Sequence, residues 1–127
     1  MPDLSRPERV SEVLVALLNA GEVDAVMELY EEGSVFVDLA GPVRGAGIRA
    51  AHQGFLEGGN TLVLNDCAVF EAGDVALVHW AWTVTDRDGS SLDGVSAEVL
   101  RRQDSGDWKF VIDNSDGSAL VAGSSSQ

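Results

Sequence analysis

The residues best suited to acid–base chemistry in this chain lie beside apolar side chains. Asp38 ends a short β-type segment, in which it shares a face with Phe36. His52 lies four residues after Ile48 and three before Phe55, on the apolar stripe of a predicted helix. A carboxylate or an imidazole in such a place can transfer protons. A strand-end cap for Asp38 and a structural role for His52 are the simpler interpretations, and both stay open.

Strand alternation groups further polar side chains in the second half of the chain. His79 shares a face with Ala81 and Thr83, and Val111 shares a face with Asp113. The opposite faces of these two segments are strongly aromatic. They carry Trp80, Trp82, Trp108 and Phe110.

This aromatic stripe predicts an exposed apolar patch, and such patches usually mark an interface. We therefore expect a homodimer that forms through the sheet face. Burial against the chain's own C-terminal tail is the alternative.

Signatures of cofactors and metals are weak. Residues 45–50 spell G-x-G-x-x-A, but Pro42 breaks the strand that a dinucleotide site requires before its glycines. Cys67 is the only cysteine and the two histidines are far apart, so no zinc ligand set is evident. The Asp-Gly turns lack the spacing of a calcium loop. We expect neither a cofactor nor a metal, and we interpret Cys67 as a small apolar strand residue.

The overall charge excludes some classes of partner. The chain has 127 residues with 21 acids and 8 bases, a formal net charge of −13. Such a surface repels nucleic-acid phosphates and anionic lipid, so we expect neither as a partner. The sequence has no apolar signal-peptide core and no long apolar run. With a single cysteine as well, the expected location is the cytoplasm, in a bacterial host.

Three helices are predicted in the N-terminal half. The first follows a capping box of Ser5 and Glu8 and ends at Gly21. The second runs from Glu22 towards residue 33 and carries Tyr30 on its apolar face, and the third covers residues 48–56. A short strand is expected at residues 34–38 and a loop at residues 41–47.

Longer strands follow at residues 62–71, 75–85, 93–103 and 108–114, joined by Gly- and Asp-containing turns. Helices on one face of such an antiparallel sheet give an α+β fold, and a curved sheet leaves a cavity beneath them. We expect one domain over residues 1–127, with its core at about 5–115 and a partly disordered tail at 116–127.

Several stretches resemble a known family. Residues 21–38 and 45–55 resemble the second helix, the first strand and the third helix of SnoaL-like and ketosteroid-isomerase-like proteins. Residues 98–114 resemble the closing hairpin of the same nuclear-transport-factor-two-like superfamily. The resemblance covers about residues 5–115. It implies a cystatin-like cone of three helices on a curved antiparallel sheet with an internal cavity.

The resemblance also implies roles for particular residues. Asp38 stands where ketosteroid isomerase keeps its carboxylate base, and Glu98 stands near the protonated acid of its oxyanion hole. Tyr30 matches a pocket tyrosine and His52 replaces another. Leu14 stands where the isomerase has its hydrogen-bonding tyrosine, and leucine cannot donate.

The predicted function is the binding of a small apolar, polyketide-like or steroid-like molecule. A cofactor-independent isomerase, cyclase or dehydratase would use Asp38 as the base, with Glu98, Asp113 or a histidine stabilising the oxyanion. A non-catalytic ligand-binding or dimerisation module is the alternative. The resemblance implies that the strand faces with Asp38, His79 and Asp113 point into the cavity. The expected catalytic residues are Asp38, Glu98 and His52, and the expected pocket residues are Tyr30, Phe36, Leu14, Phe55, His79, Thr83, Val111 and Asp113.

Overall fold

The computed structural model describes residues 2–38 and 40–115. Within them the chain forms three helices and six strands. In chain order these are α1 (Pro7–Asn19), α2 (Val23–Met27), β1 (Tyr30–Asp38), β2 (Gly41–Val43), α3 (Ala46–Glu57), β3 (Thr61–Ala72), β4 (Val75–Thr85), β5 (Ser91–Arg102) and β6 (Trp108–Asn114). The predicted tail at 116–127 lies outside the described residues.

Helix α1 begins at Pro7, where the first-turn N–H would have no partner within the helix. The predicted capping box is absent, because the Ser5 hydroxyl donates a hydrogen bond to Asp3 Oδ1 at 2.6 Å. Arg6 precedes the helix without a side-chain cap. The apolar stripe of α1 packs against β3, β4 and β6.

Helix α2 is shorter than predicted, and Tyr30 belongs to β1 instead. The Phe110 N–H donates to the Leu29 carbonyl oxygen at 2.9 Å, and Tyr30 pairs with Phe110 of β6. The helix therefore ends before Tyr30, because the backbone at this point pairs with β6 instead. Gly33, at a φ of 78°, lies within the irregular stretch of β1 rather than at a helix end.

The six strands form one sheet in the order β2-β1-β6-β5-β4-β3. Strands β1 and β6 are parallel, and every other neighbouring pair is antiparallel. The expected loop at 41–47 contains β2, a short edge strand that sequence analysis missed. The three helices pack on one face of the curved sheet, which confirms the predicted α+β architecture.

The inward face of β4 is the opposite of the predicted one. Trp80 is buried and Trp82 lines the interior, whereas the neighbouring Leu77 is exposed. His79 and Thr83 therefore lie on the outer face. Alternation determines which residues share a face, but not which face the helices cover.

The predicted tryptophan patch is wrong for the same reason. Trp108 is 1 % exposed and Phe110 is equally buried, so these aromatic rings belong to the core. The backbone N–H of Trp108 also donates to Leu4 O, at 2.9 Å, in the segment before α1.

A bulge in β6 changes the alternation near its end. Val99 pairs with Ile112 but Leu100 pairs with Phe110, so Val111 is the extra residue. Phe110 and Asp113 consequently face the interior together, and Ile112 faces outward. Val111, which was predicted to share the inward face with Asp113, does not line the interior.

The longest described helix, α1, has 13 residues, and none of the described helices could span a membrane. The one-domain organisation and the cytoplasmic location expected from the sequence stay predictions.

Candidate functional site

A cavity of about 490 Å³ lies between the helices and the sheet. Its volume is in the range of small-molecule pockets. Most of its wall is apolar, provided by Leu14, Val15, Leu18, Phe36, Ala40, Ala51, Phe55, Leu62, Leu64, Trp82, Val84, Leu92 and Phe110. The polar lining residues are few, namely Ser11, Asp38, His52, Ser96, Glu98, Asp113 and Ser115.

Glu98 on β5 is the most unusual of these residues. Its side chain is almost fully buried, and Asp113 of β6 is its direct cross-strand neighbour. Ser11 of α1 donates a hydrogen bond to Glu98 Oε1 at 2.9 Å, whereas Oε2 has no partner among the described residues. Burial, followed by the negative charge of Asp113, raises the pKa of Glu98 to about 8. The carboxyl is therefore mostly protonated at neutral pH.

Asp113 begins a buried hydrogen-bonded chain. The Tyr30 hydroxyl donates to Asp113 Oδ2 at 2.7 Å and lies 2.9 Å from His52 Nε2. Because the phenol has a single proton, His52 must donate from Nε2 if Tyr30 donates to Asp113. This pattern assigns the Nε2–H tautomer to His52. Three elements, β1, α3 and β6, thereby meet at one point of the cavity wall.

Burial favours the uncharged form of each titratable group in this hydrogen-bonded chain. It lowers the pKa of His52 to about 4, so the imidazole stays neutral at physiological pH. Burial, together with the nearby Asp113 carboxylate, raises the pKa of the Tyr30 phenol well above its ordinary value. The pKa of Asp113 rises to about 6 through burial, and the Tyr30 hydrogen bond opposes this rise. Glu98 and Asp113 together thus retain about one proton near pH 7.

Asp38 is in a different setting at the end of β1. It is half-buried, it lines the same cavity, and its Oδ1 accepts a hydrogen bond from the Ala40 N–H at 2.8 Å. Asp38 and the hydrogen-bonded chain of His52, Tyr30 and Asp113 therefore border the same apolar cavity at two different positions.

Most of the predicted site residues are brought together. Leu14, Phe36, Asp38, His52, Phe55, Glu98 and Asp113 line the cavity, and Tyr30 supports the wall through its hydrogen bonds. Three others lie elsewhere. His79 contacts the Phe70 ring edge-on, Thr83 donates to Asp93 at 2.6 Å, and Val111 is the bulge residue.

Sequence analysis missed Ser11, Ser96, Trp82 and Phe110 as lining residues. A signal for Ser11 was present, because Ser11, Leu14 and Leu18 recur at helical spacing on one face of α1. Assigning Ser96 and Trp82 to the cavity required knowing which face of β4 points inward. Assigning Phe110 required knowing the position of the bulge.

The part of the chain that the structure describes contains no cluster of three His, Cys, Asp or Glu side chains able to hold a metal ion. The lining side chains themselves supply three carboxyl groups and an imidazole.

Comparison with known proteins agrees with this arrangement. The sequence profile of the SnoaL-like domain matches residues 12–111. The chain belongs to the SnoaL-like domain family. The matched residues extend from α1 into β6 and include most of the cavity wall. Among curated proteins, none matches the sequence.

Solved structures share the fold at low sequence identity. A protein of unknown function with a cystatin-like fold from Nostoc punctiforme superposes with a TM-score of 0.74 at 13% identity, over 84% of each chain. An NTF2-like protein from Novosphingobium aromaticivorans gives 0.69 at 23% identity, over 90% of this chain and 82% of that one. A proposed ketosteroid isomerase from Shewanella frigidimarina gives 0.70 at 17% identity, over 83% and 89%. These likenesses establish the cystatin-like fold of this SnoaL-like chain and leave its activity to its own residues.

Proposed function

We propose that the cavity binds a small, largely apolar molecule carrying a carbonyl group, of polyketide-like or steroid-like character, and catalyses proton transfer on it. The observation that carries this proposal is the buried Glu98 carboxyl, whose Oε2 has no partner among the described residues. A buried polar group without a partner is costly, and a bound carbonyl oxygen would give it one.

The chemistry follows from the different settings of two carboxyl groups. The Asp38 carboxylate would remove a proton from the carbon next to the carbonyl, breaking that C–H bond and forming an O–H bond on Asp38. The electron pair moves into an enolate, whose oxygen accepts a hydrogen bond from protonated Glu98. In a β,γ-unsaturated ketone the charge extends to the γ-carbon. Return of the proton from Asp38 to that carbon breaks the O–H bond, forms a C–H bond and shifts the double bond into conjugation, which completes an isomerisation. The hydrogen-bonded chain of His52, Tyr30 and Asp113 would form another part of the wall of the site.

Leu14 supports a second candidate function. Leu14 lines the cavity. The resemblance places it where ketosteroid isomerase has a hydrogen-bonding tyrosine, and leucine cannot donate a hydrogen bond. A non-catalytic ligand-binding module would need only the apolar wall and one orienting acid.

The exchange of a ketone's α-protons distinguishes the proposed proton-transfer enzyme from the non-catalytic binding module. β-Tetralone, an apolar bicyclic ketone with acidic α-protons, is incubated with the protein in D₂O, and proton NMR follows the exchange of these protons. We expect the wild type to accelerate exchange and Asp38→Asn to lose at least about 100-fold of the acceleration. Asp66→Asn is the matched control, because Asp66 is an exposed aspartate on β3.

Binding of the ketone without accelerated exchange would support the non-catalytic module and contradict the proposed proton transfer. Equal exchange by the wild type and Asp38→Asn would remove Asp38 from the role of base. Absence of binding would contradict both candidates.

The homodimer was expected from a patch of exposed tryptophans, which is absent from the described residues. Other exposed apolar side chains, on the outer face of the sheet, now support it. Phe70 is 61 % exposed, and Leu77, Val95 and Ile112 are also exposed on the side away from the helices. We propose that a second copy covers this face, since monomeric proteins rarely expose contiguous apolar patches of this kind.

Sedimentation velocity at micromolar concentration tests the proposed dimer. We expect a wild-type dimer that Leu77→Arg dissociates, whereas Ala16→Arg on the exposed side of α1 leaves it intact. A wild-type monomer at that concentration would contradict the proposal.

A further inference from the structure

We propose that the cavity selects its ligand by charge, admitting uncharged molecules and rejecting carboxylates of the same shape. This inference rests on the proposed ligand-binding function and specifies the class of ligand. It depends on where the chain places its acidic and basic side chains.

Acidic groups reach the cavity from three strands. Asp38 of β1, Glu98 of β5 and Asp113 of β6 all contribute to its lining. Glu98 is 3 % exposed, and its Oε2 is unpartnered within the described residues. An anionic ligand would therefore meet like charge in surroundings that solvate it poorly.

All eight basic side chains lie away from the cavity lining. Five arginines form ion pairs with acidic residues of the exterior: Arg6, Arg9, Arg49, Arg101 and Arg102. Arg87 donates to the carbonyl oxygens of Glu57 and Gly58 at the end of α3. Arg44 and Lys109 complete the set and do not line the cavity either.

The one histidine in the lining does not supply a positive charge. His52 Nε2 is engaged with the Tyr30 hydroxyl, and that hydroxyl donates to Asp113. A carboxylate ligand would have to bind beside this chain without a cation, whereas a ketone can accept a hydrogen bond from the Glu98 carboxyl. The polar groups of the lining thus favour binding of an uncharged hydrogen-bond acceptor and disfavour binding of an anion.

A cationic ligand is the competing possibility, because an ammonium group would pair with the same acids and with the aromatic wall. The buried and unpartnered Glu98 carboxyl, which is mostly protonated at neutral pH, favours the uncharged ligand. A protonated carboxyl is a hydrogen-bond donor, and an ammonium group has no lone pair to accept from it.

The test compares three compounds built on one naphthalene skeleton: acetylnaphthalene, naphthoate and naphthylethylamine. Their affinities for the wild-type protein are measured by isothermal titration calorimetry at neutral pH. We expect the ketone to bind at least about 100-fold more tightly than naphthoate, which corresponds to about two pKa units of interaction with the acids. The ammonium compound should bind more weakly than the ketone.

Asp113→Asn identifies the source of the discrimination. Asparagine keeps the size of the side chain and can still accept the Tyr30 hydrogen bond, so it removes mainly the charge. We expect the ratio of ketone to naphthoate affinity to fall about tenfold in this variant and to stay unchanged in Asp66→Asn. If Asp113→Asn does not fold, the wild-type comparison of the three compounds still decides the inference.

Equal affinities of the ketone and naphthoate would overturn charge selection while leaving ligand binding intact. Tighter binding of the ammonium compound than of the ketone would overturn it in favour of a cationic ligand. Failure of all three compounds to bind would overturn the proposed function, and this inference with it.

Discussion

The two faces of the sheet distribute polarity in opposite ways. The inner face buries two carboxyl groups, Glu98 and Asp113, beneath the helices. The outer face instead exposes large apolar side chains such as Phe70 and Leu77. Buried acids and exposed apolar patches are the informative departures from ordinary burial. The proposed ligand rests on the buried acids of the inner face, and the proposed second copy rests on the exposed apolar side chains of the outer face.

The comparison also separates the two histidines. His52 is buried and belongs to a hydrogen-bonded chain with Tyr30, whereas His79 on the outer face lies 3.2 Å from the Ser96 carbonyl oxygen through Nδ1. The sequence predicted His52 as a catalytic residue and His79 as a pocket residue. The structure places His52 in the cavity lining and His79 outside it.

The largest expected effect on stability distinguishes the core aromatic residues from those of the outer face. Trp108→Ala should lower the free energy of unfolding by about 3–5 kcal/mol, because it leaves a cavity in a fully buried place. Phe70→Ala should change the unfolding of the monomer by no more than about 0.5 kcal/mol. Urea denaturation of both variants in the Leu77→Arg background, where the protein is expected to be monomeric, measures these changes. A similar loss in the two variants would contradict the distinction between the faces.

Gly94 tests the packing of the inner face. It lies opposite Trp82, and a Cβ atom built at this glycine overlaps with the indole ring. Gly94→Ala should cost about 1–3 kcal/mol of stability through overpacking and should shift the tryptophan fluorescence. Gly54→Ala is the control, because a Cβ atom there has open space. Unchanged stability and fluorescence in Gly94→Ala would contradict the observed position of Trp82.

Glu98 should make stability depend on pH. Its pKa rises from its ordinary value of 4.5 to about 8 in the folded protein, so between these values the folded state holds a proton that the unfolded state has lost. Stability should therefore fall as pH rises through this window, with a slope from Glu98 of at most about 1.4 kcal/mol per pH unit. Asp113 adds a slope of the same sign over a narrower range, between 3.8 and about 6.

Glu98→Gln should remove its part of this slope and make the protein relatively more stable at pH 8 than the wild type. Thermal unfolding measured from pH 6.5 to 9 shows the difference. His52 contributes below this range with the opposite sign, because its pKa falls from 6.5 to about 4 and its stabilisation is lost as pH falls. Parallel pH profiles for wild type and Glu98→Gln would show that Glu98 is ionised when folded.

A small effect on stability and none on binding is expected from Thr83 on the outer face. Thr83 accepts a hydrogen bond from Asn65 and donates one to Asp93 near solvent. Thr83→Val should change the free energy of unfolding by less than about 1 kcal/mol and leave ketone binding unaltered. Impaired binding would place Thr83 at the cavity, as the sequence pattern had indicated.

Much of the fold was accessible from the sequence. Turn residues and β-type runs located β3, β4 and β6 closely, and the apolar stripes located α1 and α3. The joint lining of one cavity by Asp38, His52, Glu98 and Asp113 agrees with the resemblance. The catalytic roles of Asp38, Glu98 and His52 stay predictions.

The remaining features depended on tertiary contacts. Two-residue alternation carries no information about which face the helices cover, so His79 and Thr83 were placed inside. The bulge at Val111 is specified by pairing with β5, and Tyr30 enters a strand because β6 lies beside it. Tertiary pairing overrides local propensity in each of these cases.

The central claim is that burial raises the pKa of both Glu98 and Asp113, so that the pair keeps about one proton at neutral pH. Carbon-detected NMR titration of the carboxyl groups tests it most directly, with Glu98→Gln and Asp113→Asn used to assign the two signals. The structure predicts a midpoint near 8 for Glu98 and near 6 for Asp113, each affected by removal of the other. Midpoints near about 4 for both residues, as for exposed model acids, would contradict the existence of this buried pair.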